Sequence, residues 1–422
     1  MKIFYLFSLA KKSAWNRRGS LVLAIFSVAL STALLLGVER IRTQVKESFT
    51  QTISGVDLVV GTRGGDIELT LYAIFHLGSA ANNMSWKSAK EIAALDDIAW
   101  TIPISLGDSH KGYPVTATNA DFFDHYKFRG GKRIAIASGK PFSDIFDVTI
   151  GSEAAKNLGY KIGDQIVLSH GEGRTNLAEH SDKPFSVVGI LAPTGTVIDR
   201  SLYISLEAME AIHIDWQGGA PIAGLSVSPE MARKFDLEPK SITSLLVGLK
   251  KRSKVFAVQR QINEWQSEAL IGVMPGVTMD RIWRTINVGE RALTFISALV
   301  TIAGLFGLAS AILAGLGERR RELAILRAAG ARPMDIVALL SCEGVLLVVC
   351  GAGLGAAALA LLIAIFSPIV ADSYGIAIYL SAPSAIELAL LAAIVLAGFL
   401  TSMIPAIRAY RMSLSDGLAV VT

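Results

Sequence analysis

Six histidines (His76, His110, His125, His170, His180 and His213) all fall between two long apolar runs, and "DSH", "DFFDH" and "SHGEGRTNLAEHSD" set acids beside them. Imidazole with carboxylate is a donor set for Zn²⁺ and similar ions. Their spacings match no closed metal-site pattern, so they read as surface histidines in polar loops and no metal site is assigned. Ser, His and Asp are scattered without the local signature of a nucleophile, its base and an orienting group. No G-x-x-x-x-G-K-[ST] loop is present to cradle phosphates with backbone amides and a lysine. The chain therefore reads as a non-enzyme with no catalytic residues and no cofactor of its own.

Two other features carry chemistry of a different kind. Glu343, in "SCEGV", is a carboxylate inside an apolar run. Such groups are costly in lipid and mark function by default, although an interfacial Glu capped by arginines or backbone reads equally well. The stretch "GLGERRRELAILRAAGARPMD" crowds Arg319, Arg320, Arg321, Arg327 and Arg332 between two apolar runs. Good helix formers fill Glu318 to Ala329. Gly330 is placed to end that helix, and Pro333 to discourage an easy restart. Leu323 and Leu326 lie three apart, and Ile325 and Ala329 four apart, giving an apolar side. The arginines on their own serve topology; a short helix with an apolar side and a charged rim also suits docking into a partner's groove.

The elements that must position these residues follow from composition. Of 422 residues, 52% are hydrophobic and 18% charged, and the mean hydropathy of +0.48 is too high for an ordinary water-soluble protein. The net charge of +4 is too small to argue for nucleic acid. Cys342 and Cys350 share one apolar run, too far apart on a helix for a mutual bridge. Four runs are long enough to cross a bilayer: 20–38, 292–316, 336–370 and 386–407. The third exceeds one span, so its first turns are expected in the interface, with Glu343 near the cytoplasmic edge. The basic stretch before the first run is long for a signal peptide, which makes that run an uncleaved anchor.

Lys and Arg cluster in residues 1–19, in the loop 317–335 and in the tail 408–422, whereas "SPIVADSYGIAIYLSAPSA" between the last two spans has neither. By the positive-inside rule both termini and the arginine loop are cytoplasmic, and 39–291 and 371–385 are outside. Residues 1–19 read as an amphipathic helix on anionic lipid, with Ile3, Phe7, Ala10 and Ala14 on one face.

The outer segment is large enough for a real core. Val38, Ile41, Val45 and Phe49 recur at helical spacing and predict a stalk over about 39–53 that continues the first span. A second stalk over about 279–291, "MDRIWRTINVGER", leads into the second. Between them two strand–helix–strand patterns appear: "VDLVV", "SWKSAKEIAAL", "IAWTIPIS", and then "ITSLLVGL", "VFAVQRQINEW", "IGVMP". Such a pair folds into one split α/β unit. The insert of about 111–235 reads as short strands with turns, "KIGDQIVLS", "PFSVVGILAP" and "SLYISL", forming a β-rich subdomain carried on the first. "HLGSAANNMSW", with Met84 and Trp86 among polar residues, reads as a partner-binding loop or, preferred, as the lead-in to the first helix with Trp86 as a core residue. The fold class is thus an α+β membrane protein with four transmembrane helices and a large extracytoplasmic α/β, porter-like domain bearing a β-rich insert.

"ERRRELAILRAAGA" resembles the signature after the second span in permeases of the MacB, LolC/LolE and FtsX superfamily of ABC transporters. "GSEAAKNLGYKIGDQIVLSHG" and "FSVVGILAPTGTVIDRSLYISLEAM" resemble that family's extracytoplasmic domain. "MPGVTMDRIWRTINVGERAL" resembles its lead into the second span, and "PAIRAYRMSLSDGLA" its tail, with Leu414 where a proline is usual. The resemblance covers almost the whole chain in order. It implies a permease in a bacterial inner membrane that works with a separate cytoplasmic ABC ATPase, which holds the ATP and Mg. It further implies a second permease subunit, expected as a homodimer, and leaves room for a periplasmic adaptor or substrate-binding protein. It makes the 317–335 segment a coupling helix that meets the ATPase through Glu318, Arg319, Arg320, Arg321, Glu322, Leu323, Ile325, Leu326, Arg327 and Gly330. The expected cargo is a lipoprotein, peptide, hydrophobic compound or metal-linked factor. The alternative is an FtsX-like regulator that activates an outer partner without moving cargo.

Overall fold

The computed structural model describes residues 18–52, 54–78, 82–128, 130–171, 178–217, 220–222, 226–318, 320–328, 330–374 and 380–411. The expected amphipathic helix 1–19 and the tail after Arg411 lie outside them, Arg18 and Gly19 excepted. The chain divides into a unit of residues 46–285 and a unit of 1–45 with 286–422.

The 46–285 unit is built on a sheet that begins with the strands Leu270–Val273, Leu58–Thr62, Ser244–Leu249 and Ile98–His110, in that spatial order. All three pairings are antiparallel. In sequence order this is 4-1-3-2, with the helices Trp86–Ala93 and Val255–Asn263 as crossovers, which is the split βαβ arrangement. The Trp86–Ala93 helix starts where Ser85 accepts a hydrogen bond from the Ser88 amide. Trp86 packs on the core there, and its indole donates to Glu238 at 2.9 Å.

The β-rich insert continues the same sheet on its entry side. The Ile98–His110 strand pairs over its first half with Ser244–Leu249 and over its second with Tyr113–Thr118. Lys111 and Gly112, both at positive φ, close that second pairing in a two-residue turn. The sheet then runs on through Leu202–Ser205, Asp147–Ile150, Phe185–Leu191 and Ile136–Gly139. One apolar core, from Leu58 and Ile92 to Val148, Phe185 and Ile212, spans both halves.

Two departures from the sequence expectation have local causes. The "SLYISL" strand stops at Ser205, whose side chain accepts from the Ala208 amide and starts the Leu206–His213 helix. The helix Asp66–Phe75, which periodicity left unread, packs on Leu58–Thr62 and buries Leu69, Tyr72, Ile74 and Phe75. Val59 is fully buried although it faces away from Leu58 and Val60. The sheet is therefore covered on both sides, and its strand reads "LVV" rather than alternating.

Among the described residues, four helices are long and apolar enough to cross a membrane: Leu21–Glu47, Pro275–Leu316, Pro333–Ser367 and Ala385–Arg411. The first belongs to a helix running from Arg18 to Thr52, so the first stalk is its unbroken continuation. The second belongs to Pro275–Glu318, which likewise includes its stalk. Leu21, Val28, Leu305, Leu308, Ile312, Leu347, Val348 and Ile394 form the centre of the bundle. Small residues set its spacing. A Cβ on Gly355 would sit 2.4 Å from the Ala29 carbonyl oxygen, and one on Gly351 2.8 Å from Val28. These glycines, four apart, let the third helix lie against the first, as small-xxx-small pairs do in membranes.

Candidate functional site

The arginine-rich segment is helical over Arg320–Ala328. The Ala331 amide donates to the Leu326 carbonyl and the Gly330 amide to the Arg327 carbonyl, each at 3.0 Å. With Gly330 at φ +95° this is a Schellman stop, the ending the glycine predicted. The reading of Pro333 is corrected. Pro333 is the first residue of the next helix, where a missing amide costs nothing. Asp335 accepts from the Arg332 amide at 2.9 Å and caps the restart.

The apolar side of this helix also differs from expectation. Leu323 and Ala324 are buried, and Leu323 clusters with Leu316, Ile336, Leu340, Ala406 and Ala409. Leu323 thus seats the short helix on the ends of three membrane helices and is not available to a partner. Leu326 and Arg327 are half-buried, and Gly330 is exposed. Arg319 lies outside the described residues, and the surroundings of the Glu318, Arg320, Arg321, Glu322 and Ile325 side chains are likewise not described.

Glu343 is buried at 3% exposure, about 15 Å along its helix from Pro333 at 1.5 Å per residue. The adjacent Gly344 packs on Ser402 of the last helix. A second carboxylate, Glu387, was not singled out from sequence. It forms a bidentate pair with Arg40, Nε to Oε1 at 2.7 Å and Nη2 to Oε2 at 2.8 Å, both residues buried. Glu387 also accepts from the Ser384 amide at 2.7 Å, while its own amide donates to Ser384 Oγ at 3.2 Å. That reciprocal box caps the fourth membrane helix. The pair joins the C-terminal end of the first span to the N-terminal end of the fourth, ends that an alternating four-span topology puts on one side. The signal available in sequence was an arginine just beyond one span and an acid just inside another.

The histidines are not all surface loop residues. His110 is buried, its Nδ1 on the Val167 carbonyl at 2.6 Å and Nε2 on Tyr160 at 2.9 Å, and burial lowers its pKa. His76 sits at positive φ with Nδ1 2.9 Å from Ser201 Oγ, and burial pulls its pKa down to about 4. His125 stacks on Trp100. The remaining three converge with an acid. His170 stands opposite Asp108 in the strand pairing, His180 follows the strand that pairs with His170, and His213 ends the Leu206–His213 helix. One donor atom from each of the four lies within 4.8 Å of all the others.

Residues 21–265 match the model of the MacB-like periplasmic core domain, and residues 294–414 that of the FtsX-like permease C-terminal region. No curated protein matches the chain. Among solved structures, the periplasmic region of MacB from Actinobacillus actinomycetemcomitans is 12% identical with a TM-score of 0.34, covering 57% of this chain and 97% of its own. The extracellular domain of the noncanonic ABC-type transporter YknZ from Gram-positive bacteria is 12% identical with a TM-score of 0.30, covering 51% of this chain and 98% of its own. The two family matches follow one another along the sequence, the first spanning more than half of it. The chain belongs to the ABC-type permeases of the MacB/FtsX family, multi-pass membrane proteins with an extracytoplasmic domain.

Proposed function

We propose that this permease couples ATP hydrolysis by a separate cytoplasmic ATPase to motion of its extracytoplasmic domain, which moves or releases a lipoprotein, peptide, hydrophobic compound or metal-linked cargo. The observation that carries the reading is the seating of the Arg320–Ala328 helix. Leu323 fixes it to Leu316, Ile336, Leu340, Ala406 and Ala409, at the ends of three membrane helices. A push on the short helix is therefore delivered to those three helices together. One of the three, the second span, is a single helix with its stalk, and it shares an apolar core with the first span, Val28 and Leu308 both belonging to it. Ile325, Leu326, Arg327 and the charged residues Glu318, Arg319, Arg320, Arg321 and Glu322 are assigned to the ATPase contact, with Leu323 holding the helix in place. Two permease subunits, each with its ATPase, make the working assembly, and both termini lie in the cytoplasm.

A photocrosslinking residue at Leu326 or Arg327 of the full chain, in its own cells, tests this. Crosslinking to a nucleotide-binding ABC subunit is expected, and Leu326→Asp should cut the ATPase activity that co-purifies. If no ATP-binding chain is captured and Leu326→Asp leaves activity intact, the coupling reading is wrong. ATP-dependent activation of an outer enzyme without cargo release would replace transport by regulation.

A further inference from the structure

Asp108, His170, His180 and His213 bring one carboxylate and three imidazoles together, one donor atom from each within 4.8 Å of all the others. His213 Nδ1 lies 2.8 Å from the Met209 carbonyl, which can only accept. His213 Nδ1–H therefore donates to that carbonyl, and in the neutral ring Nε2 faces the cluster as a lone pair. That Nε2 is 3.1 Å from His170 Nδ1 and 3.7 Å from Asp108 Oδ1. His170 Nδ1 is also 3.0 Å from Asp108 Oδ1, so one N–H faces two acceptors. His180 is completely buried, and neither of its ring nitrogens has a hydrogen-bond partner among the described residues. Asp108 Oδ2, equally buried, has none either and lies 4.0 Å from His180 Nε2. Buried polar atoms are ordinarily paired, and orphans of this kind ask for an explanation.

A cation supplies it. Four ligands held 2.0–2.1 Å from a tetrahedral Zn²⁺ stand about 3.3 Å from one another. Asp108 Oδ1, His170 Nδ1 and His213 Nε2 stand 3.0, 3.1 and 3.7 Å apart, around that value, while His180 Nε2 is 4.0 Å from Asp108 Oδ2 and one donor atom from each of the four lies within 4.8 Å of all the others, so the His180 side would close in as an ion binds. The support behind the ligands is also that of a metal site. The Met209 carbonyl fixes the His213 tautomer, as an outer hydrogen bond does for a ligating histidine. Trp216 packs on all three imidazoles, 4.3 Å from His180 and 5.2 and 5.6 Å from His170 and His213 by ring centroids, and shields one side. His170 and His213 keep about a quarter of their side-chain surface exposed, which leaves an approach for an ion. The nearby buried Lys183 does not oppose a cation, because Asp215 holds its ammonium with both oxygens at 2.8 and 2.9 Å.

We propose that Asp108, His170, His180 and His213 form a zinc-class divalent metal site in the extracytoplasmic domain. Three imidazoles and one carboxylate suit Zn²⁺ in a tetrahedral site, where hard-cation sites would present only oxygens. The ion ties the strand at His170 and the segment at His180 to the end of the Leu206–His213 helix and to the long strand that both halves of the sheet share. The proposal is independent of the coupling reading, since ion binding is measured without an ATPase.

The test uses the full chain in detergent, without a histidine tag and stripped by a chelator. Titration with Co²⁺ should give the intense visible absorption of a tetrahedral site at one ion per chain, displaced by one equivalent of Zn²⁺. Co²⁺ should also quench fluorescence from Trp216, an effect lost in Trp216→Phe. His170→Ala and His213→Ala, at the two exposed positions, should each weaken binding by about 100-fold or more, since loss of an outer-shell partner alone costs 10–100-fold. His125→Ala should change nothing. Zn²⁺ should raise the melting temperature of the wild-type chain but not of Asp108→Asn. A wild-type chain that takes up no stoichiometric ion overturns the proposal. So does binding that survives His170→Ala and His213→Ala in chains with unchanged circular dichroism.

Discussion

The Arg40–Glu387 pair gives a sharp test of how the membrane unit is held together. Two unit charges about 4 Å apart attract by about 4 kcal/mol at an effective dielectric near 20. Both partners are below 10% exposed, so removing one leaves the other buried and unpaired, at a cost of about 3–5 kcal/mol. Glu387→Gln is the informative variant. Glutamine can keep the box with Ser384, so the cap survives and only the charge is lost. Arg40→Met strands Glu387 instead. The double variant Arg40→Met/Glu387→Met removes both charges and should recover most of the loss, because an apolar pair of similar volume is often neutral or stabilising. Unfolding in a denaturing detergent titration, followed by helical circular dichroism, measures the wild type, Arg40→Met, Glu387→Met and the double variant as the four corners of the cycle, with Glu387→Gln beside them. The expected coupling is several kcal/mol, well beyond the few tenths seen for independent sites. If Glu387→Gln costs less than about 1 kcal/mol, as for an exposed pair, water reaches the pair and the reasoning fails.

Gly355→Leu should separate the first and third membrane helices, since even its Cβ would meet the Ala29 carbonyl oxygen at 2.4 Å. A loss of about 1–3 kcal/mol is expected in the same titration. Leu323→Met should be tolerated within about 1.5 kcal/mol. Leu323→Asp should abolish ATPase coupling by unseating the short helix, and labelling of a cysteine placed at Ala324, 4% exposed in the seated helix, should rise with it. His76 sets a pH response in the outer domain. Its folded pKa is about 4, below the 6.5 of the free side chain. The unfolded chain therefore binds the proton more readily. The stabilising effect is complete above about 6.5 and is lost progressively as pH falls toward 4. His76→Asn, which tolerates the positive φ, should flatten that part of the melting-temperature profile.

What the sequence by itself determined rests on local physics. Lipid demands about 20 apolar helical residues per span and internally satisfied backbone, so the four spans and their stalks stood out by composition. The split α/β unit followed from two repeats of a strand–helix–strand pattern with clear periodicity. Gly330 ended its helix as predicted, because a Schellman stop depends on one residue's freedom to adopt positive φ. The tertiary structure alone decided which faces are used. Leu323 looked like a docking residue because its helix is amphipathic, and amphipathicity does not say which body covers the apolar side. Here the chain's own helix ends cover it. Glu387 found its meaning in Arg40, 347 residues away. The histidines scattered at 170, 180 and 213 match no linear metal motif. They meet because strand pairing sets His170 opposite Asp108 and a helix end brings His213 to the same place. Pairing register and helix packing act at long range, and sequence spacing carries no record of them.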